Sequence, residues 1–265
     1  MSGGPDGDAA GAENPGEGTG DDAPVRYAAA DGIATITLAR PVARNALNAA
    51  MCSALLGATR RAMADAARVV VVRAEGPVFC AGADLKERRG MTENDVRARR
   101  LRAFAAYDAL ERLPMPSLAV VEGPAVGSGC EIAGACDMVI ATPAASFRTP
   151  EALWGTVGAT QRLPRILGKR LAKDMMFTGR TLSAEEAREA GLVTRVVAPD
   201  ALAGVVAAMT ATIAGAPPHA MAVAKRCVDE GLERDPRGAL ATEILAIEEI
   251  LAGDWRAGLA GFGKP

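Results

Sequence analysis

Apolar residues along this chain follow two rhythms that alternate, and their alternation sets the fold class. Residues 26–30 and 33–38, the second β-branched, flank Asp31-Gly32, the two-residue signal of a β-hairpin. Residues 49–64 repeat apolar positions at helical spacing and predict a helix. Residues 69–73 are continuous valine followed by arginine, which predicts a strand buried on both faces. A glycine-bearing loop at 76–82 follows. A charged helical stretch then runs over 93–113 and stops at Pro114. Residues 117–121 predict a second buried strand, 129–135 a short helix and 138–142 a third strand. Ser183 and Glu186 have the spacing of a capping box before a helix that ends at Gly191. Residues 193–197 form the last strand-like run. From Ala201 onward the pattern is helical, interrupted at Pro217-Pro218 and at Pro236.

Short β-branched runs alternating with helices imply an α/β fold with parallel strands joined by right-handed crossovers. Three segments follow. Residues 1–24 are rich in Gly, Pro, Asp and Glu with almost nothing apolar, and are expected to be a disordered acidic tail. Residues 25–200 hold the strand-bearing core and the candidate site. Residues 201–265 form a helical region of the kind that covers a site or mediates oligomerisation. No internal sequence repeat is evident.

Composition narrows the classes. Of 265 residues, 49% are hydrophobic but only 3% aromatic, so the core must be built from Ala, Val, Leu, Ile and Met. No stretch approaches the ~20 apolar residues needed to span a bilayer. No basic region followed by an apolar one marks a secretory leader. The five cysteines (52, 80, 130, 136, 227) show neither CxxC nor metal-ligand spacing. Buried free thiols in a reducing compartment, and hence a cytoplasmic location, are expected. The formal charge of −2 hides an asymmetry. Thirty basic residues face thirty-two acidic ones, and six of the acids lie in residues 1–24, where there is no Lys or Arg. Thirty against twenty-six, or +4, remain on the rest. Such a body tolerates a phosphate-bearing ligand but does not argue for nucleic acid or a membrane surface.

Two glutamates stand in apolar or small surroundings: Glu131 in Gly127-Ser128-Gly129-Cys130-Glu131, and Glu151 after Thr149-Pro150. Taken singly, each has a plain structural reading. Glu131 in a first helical turn complements the helix dipole, and Glu151 after proline opens a helix in a common way. Against the first stands its setting among Ile132, Ala133, Ala135, Cys136, Met138 and Val139, because a buried carboxylate is costly unless protonated, paired or used. Two glycine-bearing loops accompany them, Phe79-Cys80-Ala81-Gly82-Ala83-Asp84 and Gly127-Ser128-Gly129. Alone, either is an ordinary turn or helix start. Together they offer two backbone N–H groups that converge on one oxygen, each worth roughly 3–4 kcal/mol to an oxyanion. Two carboxylates with such a pair suit syn addition or elimination next to a carbonyl.

Competing chemistries lack their residues. The single histidine, His219, sits beside Pro217-Pro218 at a helix start and reads as a surface or capping residue, so a His-dependent triad is not expected. Ser128 is not in a GxSxG frame, because position 126 is Val and 130 is Cys. Ile132 stands where a dinucleotide fingerprint needs Gly or Ala, and no Walker motif exists. The basic run Lys86, Arg88, Arg89, Arg97, Arg99, Arg100 and Arg102 is a solvated helix face or lies near a nucleotide phosphate.

Several segments, in order, resemble the crotonase (enoyl-CoA hydratase/isomerase) superfamily over about residues 25–262. They are Arg40-Pro41 with Asn45-Ala46-Leu47-Asn48, residues 79–86, residues 127–131, Pro150-Glu151, Thr160-Gln161-Arg162-Leu163, and Phe177-Thr178-Gly179 through Ala190-Gly191-Leu192-Val193. The resemblance implies a crotonase-like spiral of ββα units with a helical C-terminal region, assembled as homotrimers or hexamers. It implies an acyl-CoA substrate, with the thioester oxygen held by the N–H groups of Ala83 and Ser128. Glu131 and Glu151 fall where its hydratases carry their acid/base pair. The CoA site would take in Arg44, Ala81, Ala83, Asp84, Leu85 and Lys86. No metal and no separate cofactor are implied, coenzyme A being part of the substrate. The activity implied first is hydration of a trans-2-enoyl-CoA to a 3-hydroxyacyl-CoA. The alternatives are enoyl-CoA isomerisation, hydration of a branched or cyclic enoyl-CoA, and non-catalytic acyl-CoA binding. Two departures from the family pattern stand out: Ser128 replaces the middle glycine of its triplet, and the loop over residues 155–160 is shorter than its Pro-Gly-rich counterpart.

Overall fold

The computed structural model describes residues 23–253 and 255–256. Residues 1–22 of the expected tail lie outside the described residues. Ala23 is buried and the Pro24 carbonyl accepts the Ala39 N–H at 3.0 Å, so these two residues pack with the strands that follow.

Among the described residues nine strands form two sheets. They are β1 (Val25–Ala30), β2 (Ile33–Leu38), β3 (Val69–Ala74), β4 (Ser117–Val121), β5 (Pro124–Val126), β6 (Met138–Ala141), β7 (Ser146–Arg148), β8 (Thr181–Ser183) and β9 (Arg195–Val196). The larger sheet runs β1-β2-β3-β4-β6-β9. Only the β1–β2 hairpin is antiparallel in it, with Ala30 opposite Ile33 across the Asp31-Gly32 turn. All other pairings in that sheet are parallel. The smaller sheet, β5-β7-β8, is extended by isolated bridges from Cys80 to Ala125 and from Leu47 to Ala83. Successive turns of the chain therefore lay one strand into the large sheet and one short rung into the small ladder, which is the ββα spiral expected.

Among the described residues ten helices wrap this frame: α1 (Ala49–Ala64), α2 (Leu85–Arg88), α3 (Glu93–Glu111), α4 (Ser128–Ala135), α5 (Arg162–Leu167), α6 (Lys169–Thr178), α7 (Ala184–Glu189), α8 (Pro199–Gly215), α9 (Pro218–Gly231) and α10 (Pro236–Leu251). The valine run of β3 explains itself here. Val70 and Val72 face the main core with Leu55 and Leu110, while Val69 and Val71 face a second cluster with Leu202 from α8. Burying each such side chain contributes roughly 1.5–3 kcal/mol. The capping box of Ser183 and Glu186 forms as the spacing predicts, with Glu186 N–H to Ser183 Oγ at 3.2 Å and the return bond at 2.8 Å. The expected strand over 193–197 shrinks to two residues, because only Arg195 and Val196 pair with β6.

Candidate active site

The small ladder brings the two glycine loops side by side. Leu47 donates to the Gly82 carbonyl at 2.7 Å and accepts from Asp84 N–H at 2.9 Å. Both neighbours of Ala83 thus bond to one side, and in a parallel ladder the Ala83 N–H then points to the other. Among the described residues it meets no backbone acceptor. Gly82 has φ +91°, which an L side chain rarely adopts, and a Cβ on it would lie 3.1 Å from the Val126 carbonyl oxygen. The same position is 3.9 Å from the Ser128 nitrogen, so the loops are in contact. Gly127, at φ +52° and ψ −104°, turns the chain out of β5 and lets Ser128 open α4. As first residue of the helix, Ser128 has an N–H with no intrahelical acceptor. The left-handed angle falls on Gly127, not on Ser128, so the serine costs no backbone strain.

Glu131 lies in the first turn of α4, 8% exposed. The guanidinium of Arg162, the first residue of α5, pairs with its carboxylate through Nη1. Arg162 also bonds Glu111 at the end of α3, with Nε at 3.1 Å from Oε1. Burial works against the Arg162 charge, but its bonds to Glu111 and the charge of Glu131 outweigh that and hold its pKa above the ordinary value. Glu131 is therefore a buried acid with a fixed counter-ion.

Glu151 is built differently. It opens a single 3-10 turn, Glu151–Trp154, that ends at Gly155 with φ +71°. Its carboxyl group is wedged between two glycines. A Cβ on Gly127 would lie 2.0 Å from Glu151 Oε1, and one on Gly158 would lie 3.0 Å from its Cγ. Oε2 is buried without a hydrogen-bond partner among the described residues. Burial first, and the nearby charge of Glu131 to a smaller extent, raise the Glu151 pKa above its ordinary value, so it takes up a proton more readily than a free carboxylate. The loop beyond it is tied to α3, where Arg100 donates to Thr156 Oγ1 at 3.2 Å and to the Val157 carbonyl.

Both glutamates, Ala83, Gly127 and Ser128 line one narrow cavity of about 70 Å³. Its opposite wall is α3, through Val96, Arg100, Ala103, Phe104 and Tyr107. All four residues expected to perform the chemistry thus meet in one place. Of the residues expected at the CoA site, only Ala83 lines this cavity. Leu85 and Lys86 are exposed on α2, and Ala81 is half-buried with its N–H bonded to the Arg44 carbonyl at 3.0 Å. Arg44 is exposed at φ +52°. The Asp84 carboxylate is engaged within the fold, accepting from Lys86 and Glu87 N–H at 3.1 and 3.3 Å and pairing with Arg40 at 3.1 Å. Arg162, Arg100 and Tyr107 are site residues that spacing alone did not single out. Arg162 was visible only as part of Thr160-Gln161-Arg162-Leu163. Cys80 sits behind the first loop, and burial pushes its thiol up to about 12, so it is no nucleophile. Among the described residues no group of three or more His, Cys, Asp or Glu side chains is placed to hold a metal ion.

Comparison with known proteins identifies the family. The Enoyl-CoA hydratase/isomerase family profile matches residues 28–263. The chain is 38% identical over 239 residues to "Probable enoyl-CoA hydratase 2, mitochondrial" of Arabidopsis thaliana, covering 88% of this chain and 79% of that one. It is 38% identical over 242 residues to "Enoyl-CoA hydratase domain-containing protein 2, mitochondrial" of Homo sapiens, covering 87% and 82%. The crystal structure of an enoyl-CoA hydratase from Bacillus anthracis superposes with a TM-score of 0.86 at 34% identity, over 90% of this chain and 95% of that one. The chain belongs to the enoyl-CoA hydratase/isomerase family and has the crotonase fold.

Proposed function

We propose that this family member is an enoyl-CoA hydratase that adds water in syn fashion across a trans-2-enoyl-CoA. The observation that carries the reading is the unequal environment of two carboxyl groups facing one cavity. Glu131 has a guanidinium on it. Glu151 has none bonded to it and an orphaned buried oxygen. Unequal environments of this kind assign acid and base. Glu131 takes a proton from water as the water oxygen bonds to Cβ. The π electrons move onto Cα and the thioester oxygen, where the N–H groups of Ala83 and Ser128 receive the negative charge. Glu151 then delivers its proton to Cα. The glutamates end with exchanged protons and reset through solvent or each other, and they titrate as a unit. The CoA moiety approaches along residues 81–86 and Arg44, and no other cofactor takes part.

The test is hydration of crotonyl-CoA, followed by loss of the conjugated thioester absorbance. Glu131→Gln and Glu151→Gln should each lower kcat by roughly 100- to 10,000-fold, and the double variant should fall little further. Full activity in the double variant refutes the mechanism. Isomerisation without hydration across an acyl-CoA panel would transfer the site to the alternative family reaction. A homotrimer or hexamer is proposed for the assembly. Its support is an apolar stripe on α10, Leu240, Ile244, Ile247 and Leu251, each about half exposed in the single chain.

A further inference from the structure

One buried hydroxyl at this site has no use in the two-glutamate scheme. Tyr107 on α3 is 3% exposed, and its Oη is buried without a hydrogen-bond partner among the described residues. The ring is held edge-on to Phe104, with centroids 6.4 Å apart. Its hydroxyl lies beside the Ser128 side chain but outside hydrogen-bonding geometry. Burial raises the phenol pKa well above its ordinary value, so the group is a neutral O–H donor. The Ser128 hydroxyl is half-buried on the cavity wall next to it. An unpaired buried hydroxyl is costly, and native proteins retain few without a purpose. A slight rotation of Ser128 lets Tyr107 donate to its Oγ and turns the serine O–H into the cavity.

Helix geometry says where that O–H then points. Ser128 and Glu131 are three residues apart in the first turn of α4 and so share one face. Glu131 is the group assigned to the attacking water, whose oxygen becomes the 3-hydroxyl of the product. Resting on the hydratase reading above, we propose that Tyr107 and Ser128 form a hydroxyl relay that binds the oxygen at C3 of the acyl group, as incoming water and as product hydroxyl. Ser128 makes the contact and Tyr107 positions it. The substrate class preferred by binding is therefore a 3-oxygenated acyl-CoA over its 3-deoxy analogue.

Isothermal titration with two unreactive ligands tests this. Acetoacetyl-CoA carries an acceptor oxygen at C3, butyryl-CoA carries none, and both share the thioester. Wild type should bind acetoacetyl-CoA more tightly. Ser128→Ala keeps the backbone N–H, and Tyr107→Phe keeps the ring. Each should weaken acetoacetyl-CoA by about tenfold, the worth of one hydrogen bond, and leave butyryl-CoA unchanged. The double variant should lose no more than either single one, as two members of one relay do. Because Tyr107→Phe removes an unpartnered group, its melting temperature without ligand should not fall. Equal weakening of both ligands, or no weakening of either, overturns the relay while leaving the hydratase reading intact. Failure of wild type to bind either ligand overturns the acyl-CoA reading and the relay with it.

Discussion

Replacing Gly127 by alanine tests where Glu151 sits and what holds it there. Gly127 has φ +52° and ψ −104°, a region that alanine enters at a cost of about 1–3 kcal/mol. That cost lowers the melting temperature by roughly 2–4 °C per kcal/mol for a chain of this size. The new methyl group would lie 2.0 Å from Glu151 Oε1, against an ordinary contact of 3.4 Å or more, so the carboxyl group must retreat by about 1.4 Å. A misplacement near 1 Å at a reacting centre costs on the order of 100-fold in rate. Gly158→Ala is the matched control. Its Cβ would lie 3.0, 3.1 and 3.2 Å from Cγ, Cδ and Oε1 of the same glutamate, and its backbone is not left-handed. A shift of a few tenths of an ångström then suffices, and the rate should fall by roughly tenfold or less, with little change in melting. Crotonyl-CoA hydration and thermal melts on both variants give the ordering. If Gly127→Ala retains activity within a factor of about three, or if Gly158→Ala is the more damaging, Glu151 does not work from the position between these glycines.

Other outcomes follow from the same geometry. Arg162→Met leaves Glu131 buried beside no cation; loss of stability should approach the lower end of the roughly 3–5 kcal/mol seen when a buried pair is broken, and a denaturation midpoint equal to wild type would contradict the pairing. For Glu151→Gln, the relevant quantity is stability against pH. The folded-state pKa of Glu151 is raised above its ordinary 4.5, so the native state binds the extra proton and its contribution to stability is lost as pH rises through the folded value. The variant should match wild type below pH 4.5, gain on it as pH rises from there through the folded value, and keep a constant margin beyond it, whereas a difference independent of pH would mean that Glu151 titrates normally. Ile244→Glu, in the middle of the exposed α10 stripe, should shift sedimentation toward smaller species without unfolding the chain; an unchanged oligomer places the interface elsewhere.

How much of this was legible depended on the range of the interaction. The hairpin at Asp31-Gly32, the helices over 49–64 and 93–111 and the buried strands of valine and alanine announce themselves through local period and turn chemistry. The small ladder does not. Strands β5, β7 and β8 are three residues each, too short for a period to emerge, and exist only because neighbouring turns of the spiral stack on them. Nor do helices α5 and α6, which meet at Gly168 with φ +74°. At the site, Glu131 and Glu151 could be named from their surroundings, and the glycine loops from their composition. The partners could not. Arg162 reaches Glu131 across 31 positions and Arg100 reaches the Glu151 loop across 56, and nothing in the spacing marks either pairing.

The short loop beyond Glu151 shows why those distant partners matter. A longer turn could hold the carboxyl group by its own hydrogen bonds. Here the turn is one 3-10 coil closed by Thr156 N–H to the Glu151 carbonyl at 3.0 Å, and α3 braces it. Arg100 fastens it from outside, and two glycines clear the space into which the side chain folds. None of these supports bonds the carboxyl group itself through a fixed cation, whereas Arg162 does so for Glu131. A Glu151 clamped by a salt bridge would be held ionised and would have no proton to deliver to Cα. Support by shape and backbone leaves the Glu151 carboxyl group without a fixed cation while burial raises its pKa, which is what the proposed delivery of its proton to Cα requires.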